Sequence, residues 1–429
     1  FREIFGVGPA RTPGCGVFRG LREVKPGCVL EYSRERVKES PYWVLEAKPH
    51  TDSYAQTVET VSWLLRDAVQ RQLVSDVPVC SFLSGGIDSS VVTAIASRQL
   101  GQEGVTLNTF SFDFAHNDAC FQSNAFQPTR DRPYVDQVLA LYPLHHTYLE
   151  CDEATLAGLL GDAVRMKDLP GMTDVDASLL YFCGLVKQHN KVALTGECAD
   201  EIFGGYPWFY REDLLRVDGF PWSPDLSART ALLSDEAIHE LHLEEYTRER
   251  YRDTLAQVPL LPEEKAETRR RREMSYLNLR WFMQTLLDRM DRTSMAWGLE
   301  ARVPFADHRI VEYVYNVPWS MKYENGMEKK LLRDACKDLL PPQLLYRKKS
   351  PYPKTYSPVY EALLAERFEQ LLANPQAPVH RFMDRKKAAQ FLAQPKDYGK
   401  PWFGQLMAGP QMIAYFLQVN DWMERYGIS

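Results

Sequence analysis

An apolar, β-prone run from Val77 ends abruptly in Ser84-Gly85-Gly86-Ile87-Asp88-Ser89-Ser90, and an apolar pattern at helical spacing begins at once. A strand that becomes a helix across two glycines is a strong constraint on the fold. Adjacent glycines let the backbone take conformations closed to other residues and aim its N–H groups at an anion, while the new helix adds the positive end of its dipole. Hydroxyls of Ser84, Ser89 and Ser90 can bond phosphate oxygens, and Asp88 can hold a magnesium ion. No lysine follows the glycines, so this is not the G-x-x-x-x-G-K-[ST] loop. A loop lacking the lysine that grips terminal phosphates suits chemistry at the α-phosphate, with pyrophosphate leaving. On these residues alone, a plain strand-to-helix turn is the competing reading.

The surroundings set the fold class. Val58, Val61, Leu64, Leu65, Ala68, Val69 and Leu73 recur at helical spacing, with Asp52 or Ser53 as cap. Strands are expected from Val77, over Val105 to Phe112, and over Val192 to Thr195, with helical patterns between them. That alternation predicts an α/β fold: a parallel sheet with helices on both faces and ligands beyond the carboxyl ends of the strands, where Leu83, Phe112 and Thr195 fall. Residues 1 to about 50 carry turn signals between short apolar runs and read as a β meander too small to hold itself together. From about residue 225 the pattern is mainly helical, with proline-rich joints and no internal repeat.

A second constellation, Leu194-Thr195-Gly196-Glu197-Cys198-Ala199-Asp200-Glu201-Ile202-Phe203-Gly204-Gly205-Tyr206, again ends a strand in a glycine turn, here loaded with acids. Three carboxylates within five residues repel one another unless a cation or an acid/base task holds them there. Charge balance in a first helical turn would also favour acids. Beside a phosphate loop, magnesium coordination by Asp200 together with Asp88 is the better account.

Composition excludes several classes. The 429 residues carry a net charge of −6 and 25% charged residues, so no basic field points to nucleic acid. Arg269 to Arg272 follow Glu263, Glu264 and Glu267 and read as a salt-bridged helix face. No run of eighteen apolar residues predicts a membrane span, and no signal peptide is recognised. The eight cysteines include no Cys-x-x-Cys pair and read as reduced, mostly buried thiols of a cytoplasmic protein. Beginning at Phe1 within a patterned segment, the chain reads as part of something longer.

Ser-Gly-Gly-x-Asp-Ser-Ser resembles the PP-loop of ATP pyrophosphatases. Taken with Gly196-Glu197-x-x-Asp200-Glu201-x-Phe203-Gly204-Gly205-Tyr206 and with Asp288-Arg289-Met290-Asp291-Arg292-Thr293-Ser294-Met295 running on to Glu300-Ala301-Arg302-Val303-Pro304-Phe305, the chain resembles the glutamine-hydrolysing asparagine synthetases over nearly its whole length. The resemblance implies that residues 1–50 are the end of an N-terminal nucleophile glutaminase domain and residues 51–429 an ATP-dependent synthetase domain. The glutaminase cysteine would stand far upstream, so none of the eight cysteines takes its role.

The resemblance also implies site residues. Leu83, Phe112, Thr195 and Gly196 would line the ATP site, and Ser84, Gly85, Gly86, Asp88, Ser89 and Ser90 would hold phosphates. Asp88 and Asp200 would bind Mg2+, with ATP as co-substrate. Glu197 would act on the incoming ammonia, and Lys349 would stabilise negative charge, as a compact ammonium can. Asp291, Arg292, Ser294 and Met295 are expected near the substrate pocket, and Glu328-Lys329-Lys330 is expected to support the site rather than catalyse. For Glu300 to Phe305 a structural alternative stays open, in which Arg302 pairs with a neighbouring carboxylate to hold helices over the sheet. The implied reaction is amidation of aspartate through β-aspartyl-AMP, with aspartate, ATP and ammonia as small-molecule partners, in a possible homodimer.

Two departures stand out. Ser350-Pro351-Tyr352-Pro353-Lys354-Thr355-Tyr356 differs from the better-known form of the family after the lysine, and Asn117 to Arg132 is longer and more polar than the usual link, which suggests a mobile loop. An intramolecular amide former of the β-lactam synthetase or lasso-cyclase type, and a non-catalytic homologue, remain alternatives at this point. The intact Gly-Glu-x-x-Asp-Glu favours ammonia as the nucleophile.

Overall fold

The computed structural model describes residues 1–117, 121, 129–350, 352, 353, 355, 357–393, 402–404, 406 and 409–428. The proposed long link between Asn117 and Arg132 lies largely outside the described residues, as does Cys120. Five parallel strands form the central sheet: β3 (Val79–Phe82), β4 (Leu107–Phe114), β5 (Leu144–Cys151), β6 (Val192–Leu194) and β7 (Glu300–Arg302), in the order β5-β4-β3-β6-β7. Cys80 pairs with Asn108 on one side and Ala193 on the other. The chain winds outward from β3 through β4 to β5, then returns to β3's other edge with β6. A crevice therefore opens at the carboxyl ends of β3 and β6, where ligands of such sheets bind.

Alternation along β3 builds the layers. Val79 packs with α1 (Tyr54–Gln72) and α2 (Ile87–Gln102), whereas Cys80 packs with Leu179, Phe182 and Cys183 of α4 (Thr173–Lys187) and Met290 of α6 (Gln284–Met295) on the opposite face. Of the two expected caps, Asp52 and Ser53, it is Ser53 that caps α1, in a reciprocal capping box with Gln56. Further helices, α3 (Arg132–Leu141) and the short α5 (Ala199–Phe203), flank the crevice.

The opening residues differ from the expected meander. Besides an isolated antiparallel bridge between Cys15 and Arg22, β1 (Cys28–Tyr32) and β2 (Val37–Pro41) pair as an exposed hairpin. Arg2–Val7 is instead helical, with Glu3 to Val7 buried against the carboxyl-terminal helices, Arg229 donating to the Gly6 carbonyl at 2.6 Å and Tyr415 to the Ile4 carbonyl at 2.6 Å. Its partners lie hundreds of residues away, so turn signals alone misread it.

Arg302 pairs with Glu300 at 2.7 Å and also donates to the Gln72 and Val74 carbonyls, tying β7 to the end of α1. Within the arginine run, Arg269 pairs with Glu273 and Arg271 with Glu267, but Arg272 is buried against Glu264. Cys80, Cys151, Cys183, Cys198 and Cys336 are buried thiols. Among the described residues no helix is long and apolar enough to cross a membrane.

Candidate active site

The loop after β3 is held shut by its own hydroxyls. Ser89 Oγ accepts from the Ser84 amide at 3.1 Å and lies 3.0 Å from Ser84 Oγ. Gly85 takes a positive φ of 68°, and a Cβ there would stand 2.7 Å from Tyr134 Cβ. The turn therefore needs glycine both for its conformation and for its close approach to α3. Arg347 latches the loop from outside. Its guanidinium donates to the Ser84 carbonyl at 3.3 Å and to Asp131 Oδ1 at 2.6 Å, and covers the Tyr134 ring at 4.0 Å.

The acid loop after β6 packs directly on this turn through Gly196, beside the first turn of α2. Asp200 thereby faces Asp88, and Lys329 lies between them. Lys329 Nζ stands 2.8 Å from Asp88 Oδ2 and 2.7 Å from Asp200 Oδ1, with its side chain 2% exposed. Lys349 pairs with the other oxygen of Asp200 and lies over the Tyr206 ring. Burial pushes the Asp88 carboxyl up despite Lys329. Burial acts on Asp200 too, but the two ammonium groups outweigh it and hold that carboxyl below its usual range. Glu201 is raised by burial and by the neighbouring Asp200 charge, and Tyr206 donates to it at 2.6 Å.

Lys329 was expected only to support the site. Its backbone takes φ 55°, a left-handed conformation uncommon outside glycine, which directs the ammonium into the crevice while Lys330 turns away to Tyr54 and Asp334. Strain at that position accompanies the central cation of the cluster.

Glu197 stands deeper in the cavity. One of its oxygens pairs with Arg289, and the other, Oε2, is buried with no hydrogen-bond partner. Burial raises the Glu197 carboxyl, although the Arg289 charge opposes the shift. Arg289 projects from α6 with a side chain 6% exposed. It lines the cavity with Phe282, Leu286 and Met290 on the same helical stripe.

That stripe corrects the expected substrate face. Asp291, Arg292 and Met295 are exposed, on the side of α6 away from the cavity, and Ser294 is buried with its hydroxyl bonded to the Asp291 carbonyl. A helix turns about 100° per residue, so Leu286, Arg289 and Met290 share a face that Asp291, Arg292 and Met295 do not. An arginine set in an otherwise apolar stripe was the available sequence signal. Of the other expected residues, Leu83, Ser84, Gly86, Asp88, Ser89, Phe112, Thr195, Gly196, Glu197, Asp200 and Lys349 meet in one cavity of about 230 Å3. The neighbouring crevice over β4 and β5 has only about 20 Å3, so of these two the first offers the larger space. Gly85 and Ser90 stand behind the lining, and the Ser90 hydroxyl is buried without a partner.

Asp88 and Asp200 fit a magnesium ion by their chemistry. The two carboxylates already share one cation, with Lys329 Nζ 2.8 Å from Asp88 Oδ2 and 2.7 Å from Asp200 Oδ1. Among the described residues no cluster of three or more His, Cys, Asp or Glu side chains is gathered for a metal.

A parallel sheet whose switch point joins a lysine-free Ser-Gly-Gly loop to an acidic loop defines a nucleotide-binding α/β domain of the PP-loop type. A family model described as asparagine synthase matches residues 60–424. The chain is 48% identical over 429 residues to asparagine synthetase [glutamine-hydrolyzing] 3 of Bacillus subtilis (strain 168), covering all of this chain and 70% of that relative. It therefore belongs to the asparagine synthase family. It is also 28% identical over 368 residues to asparagine synthetase [glutamine-hydrolyzing] 1 of the same organism, with 78% of this chain and 55% of that one covered. Amidase chyE of Penicillium rubens is 27% identical over 396 residues, with 78% and 58% covered. A solved NMN synthetase from Francisella tularensis overlaps 36% of this chain and 60% of its own at 15% identity and a TM-score of 0.23, too slight to carry an argument.

Proposed function

We propose that the protein converts aspartate to asparagine with ATP, releasing AMP and pyrophosphate. The observation that carries this reading is the convergence of Asp88, Asp200, Lys329 and Lys349 at the mouth of the Ser84–Ser89 loop. Such a cluster suits a departing pyrophosphate, because cations held in place neutralise its charge without reorganising.

Leu83 and Phe112 would flank the nucleotide base, and the Ser84 to Ser89 turn would hold its phosphates. Asp88 and Asp200 would hold Mg2+, which supplies neutralisation of phosphate charge when bound. The side-chain carboxylate of aspartate attacks the α-phosphorus, and the bond to pyrophosphate breaks. Lys349 and Lys329 follow the phosphate oxygens as that bond lengthens. Ammonia then attacks the acyl carbon of β-aspartyl-AMP, its proton passes to Glu197, and AMP leaves. The buried, unpartnered Glu197 Oε2 suits the role of proton acceptor. The Bacillus subtilis relative is named as glutamine-hydrolyzing, so the nitrogen would come from glutamine where that activity is supplied, and in an assay of these residues from added ammonium.

Incubation with ATP, magnesium, aspartate and ammonium tests the reading: AMP, pyrophosphate and asparagine should form in equal amounts. Pyrophosphate release only with another carboxylate would overturn the aspartate assignment.

A further inference from the structure

Beside the Arg289–Glu197 pair runs a row of charges that the steps above do not use. Asp176 lies in the first turn of α4, with a side chain 1% exposed. Lys167 Nζ, on a side chain 3% exposed, stands 3.2 Å from Asp176 Oδ2 and 3.9 Å from Asp288 Oδ2. The Met172 amide donates to the same Asp176 oxygen at 2.8 Å. A Cβ on Gly171 would fall 2.0 Å from that oxygen, so the chain approaches as closely as it can. Asp288 is held in turn by Arg11 at 3.0 Å and by Arg292 at 3.5 Å, and it immediately precedes Arg289.

This arrangement locks one oxygen of Asp176 and leaves the other bare, for Asp176 Oδ1 is buried with no hydrogen-bond partner. An unsatisfied buried acceptor costs stability, roughly 1–3 kcal/mol, and calls for a physical reason. The location supplies one. Met172, Val175 and Leu179 on either side of Asp176 line the cavity, and α4 packs along α6, the helix that carries Arg289. Both members of the Arg289–Glu197 pair feel the Asp176 charge.

We propose that Asp176, locked by Lys167 and the Met172 amide, is a positioning residue of the amidation step: it shares the charge of Arg289, so that Glu197 is held in place without being fully neutralised and accepts the proton of the incoming nitrogen. This rests on the reading of the site given above. A carboxylate compensated by an arginine of its own is a poor base, and a second carboxylate near that arginine, without touching it, restores part of its basicity. The groups facing Glu197 are few. Arg289 comes from α6, Asp176 and Cys183 from α4, Cys198 from the turn after β6, and Tyr352 from the segment after Lys349. Burial pushes the two thiols and the phenol up, so they stay neutral, and Arg289 and Asp176 set the local charge. In the step itself one N–H bond of the nucleophile breaks, its proton goes to Glu197, the nitrogen bonds to the acyl carbon, and the acyl oxygen bond to AMP breaks.

The test separates the two half-reactions. Pyrophosphate release measures adenylation, and ammonium-dependent asparagine formation, followed against pH at constant free ammonia, measures amidation. Asp176→Asn, together with Asp176→Asn/Lys167→Met to avoid an unpaired buried lysine, should leave pyrophosphate release and the KM for ATP within about twofold. Amidation should slow roughly tenfold, and its acid limb should move to lower pH in both variants. If both half-reactions fall together with the melting temperature while the limb stays in place, Asp176 is structural and the proposal is overturned. Glu197→Gln guards the underlying reading: a limb that survives that substitution does not belong to Glu197, and the site assignment then fails whatever Asp176 does.

Discussion

Gly196 lies so close to Ser89 that a Cβ on it would stand 2.5 Å from the Ser89 amide nitrogen. Two loops far apart in sequence are thus packed backbone to backbone, and the spacing of Asp88 and Asp200 depends on that contact. Gly196→Ala should push the acid loop off the first turn of α2, destabilise the fold by about 1–3 kcal/mol and weaken ATP binding at least tenfold. Thermal unfolding and ATP titration check this. An unchanged melting temperature with full ATP affinity would refute the close packing.

Lys329 provides the sharpest contrast within one tripeptide. Its ammonium is buried between Asp88 and Asp200, whereas that of Lys330 reaches Tyr54 and Asp334 near the surface. Lys329→Met leaves two carboxylates facing each other and should destabilise the protein by about 3–5 kcal/mol. Lys330→Met should cost less than about 1 kcal/mol. Millimolar magnesium should recover part of the loss in the first variant and none in the second, since the ion can take the missing ammonium's place. Melting curves with and without magnesium decide it.

What could be read from the sequence was what short stretches encode. Ser84 to Ser90 and Thr195 to Glu201 are local motifs at strand ends, and β-α-β alternation was enough to bring their loops into one crevice. Lys329 and Arg289 were harder because each enters the cavity from a distant element. The first does so through a left-handed backbone, and the second by helical phase within a segment where neighbouring Asp291 and Arg292 were equally eligible. The buried helix at Arg2–Val7 was missed for the same reason, since its partners Arg229, Thr247 and Tyr415 become neighbours only in the folded chain.

Arg347 should prove more than a surface neighbour of Lys349. Its forked guanidinium reaches the Ser84 carbonyl and Asp131 while covering Tyr134, joining three segments of the nucleotide loop's frame. Lysine cannot reproduce that fork. Arg347→Lys should therefore raise the KM for ATP about tenfold while leaving the KM for aspartate nearly unchanged. Steady-state kinetics of pyrophosphate release provide the measurement, and an equal rise in both constants would refute a loop-specific role.

His146 predicts how the sheet responds to acid. On β5 its ring nitrogens lie 2.9 Å from Thr109 Oγ1 and 3.0 Å from Ser111 Oγ of β4, and burial lowers its pKa from 6.5 to about 4. Above pH 6.5 the ring is neutral both folded and unfolded, and its contribution is fully present. As the pH falls from 6.5 to about 4 the unfolded chain takes up a proton that the folded protein refuses, so stability is lost across that window. With partial exposure screening the effect, the loss should be about 1–2 kcal/mol. Denaturant unfolding at stepped pH should show His146→Gln flatter than wild type between these limits. Parallel curves would mean that this histidine titrates alike in both states.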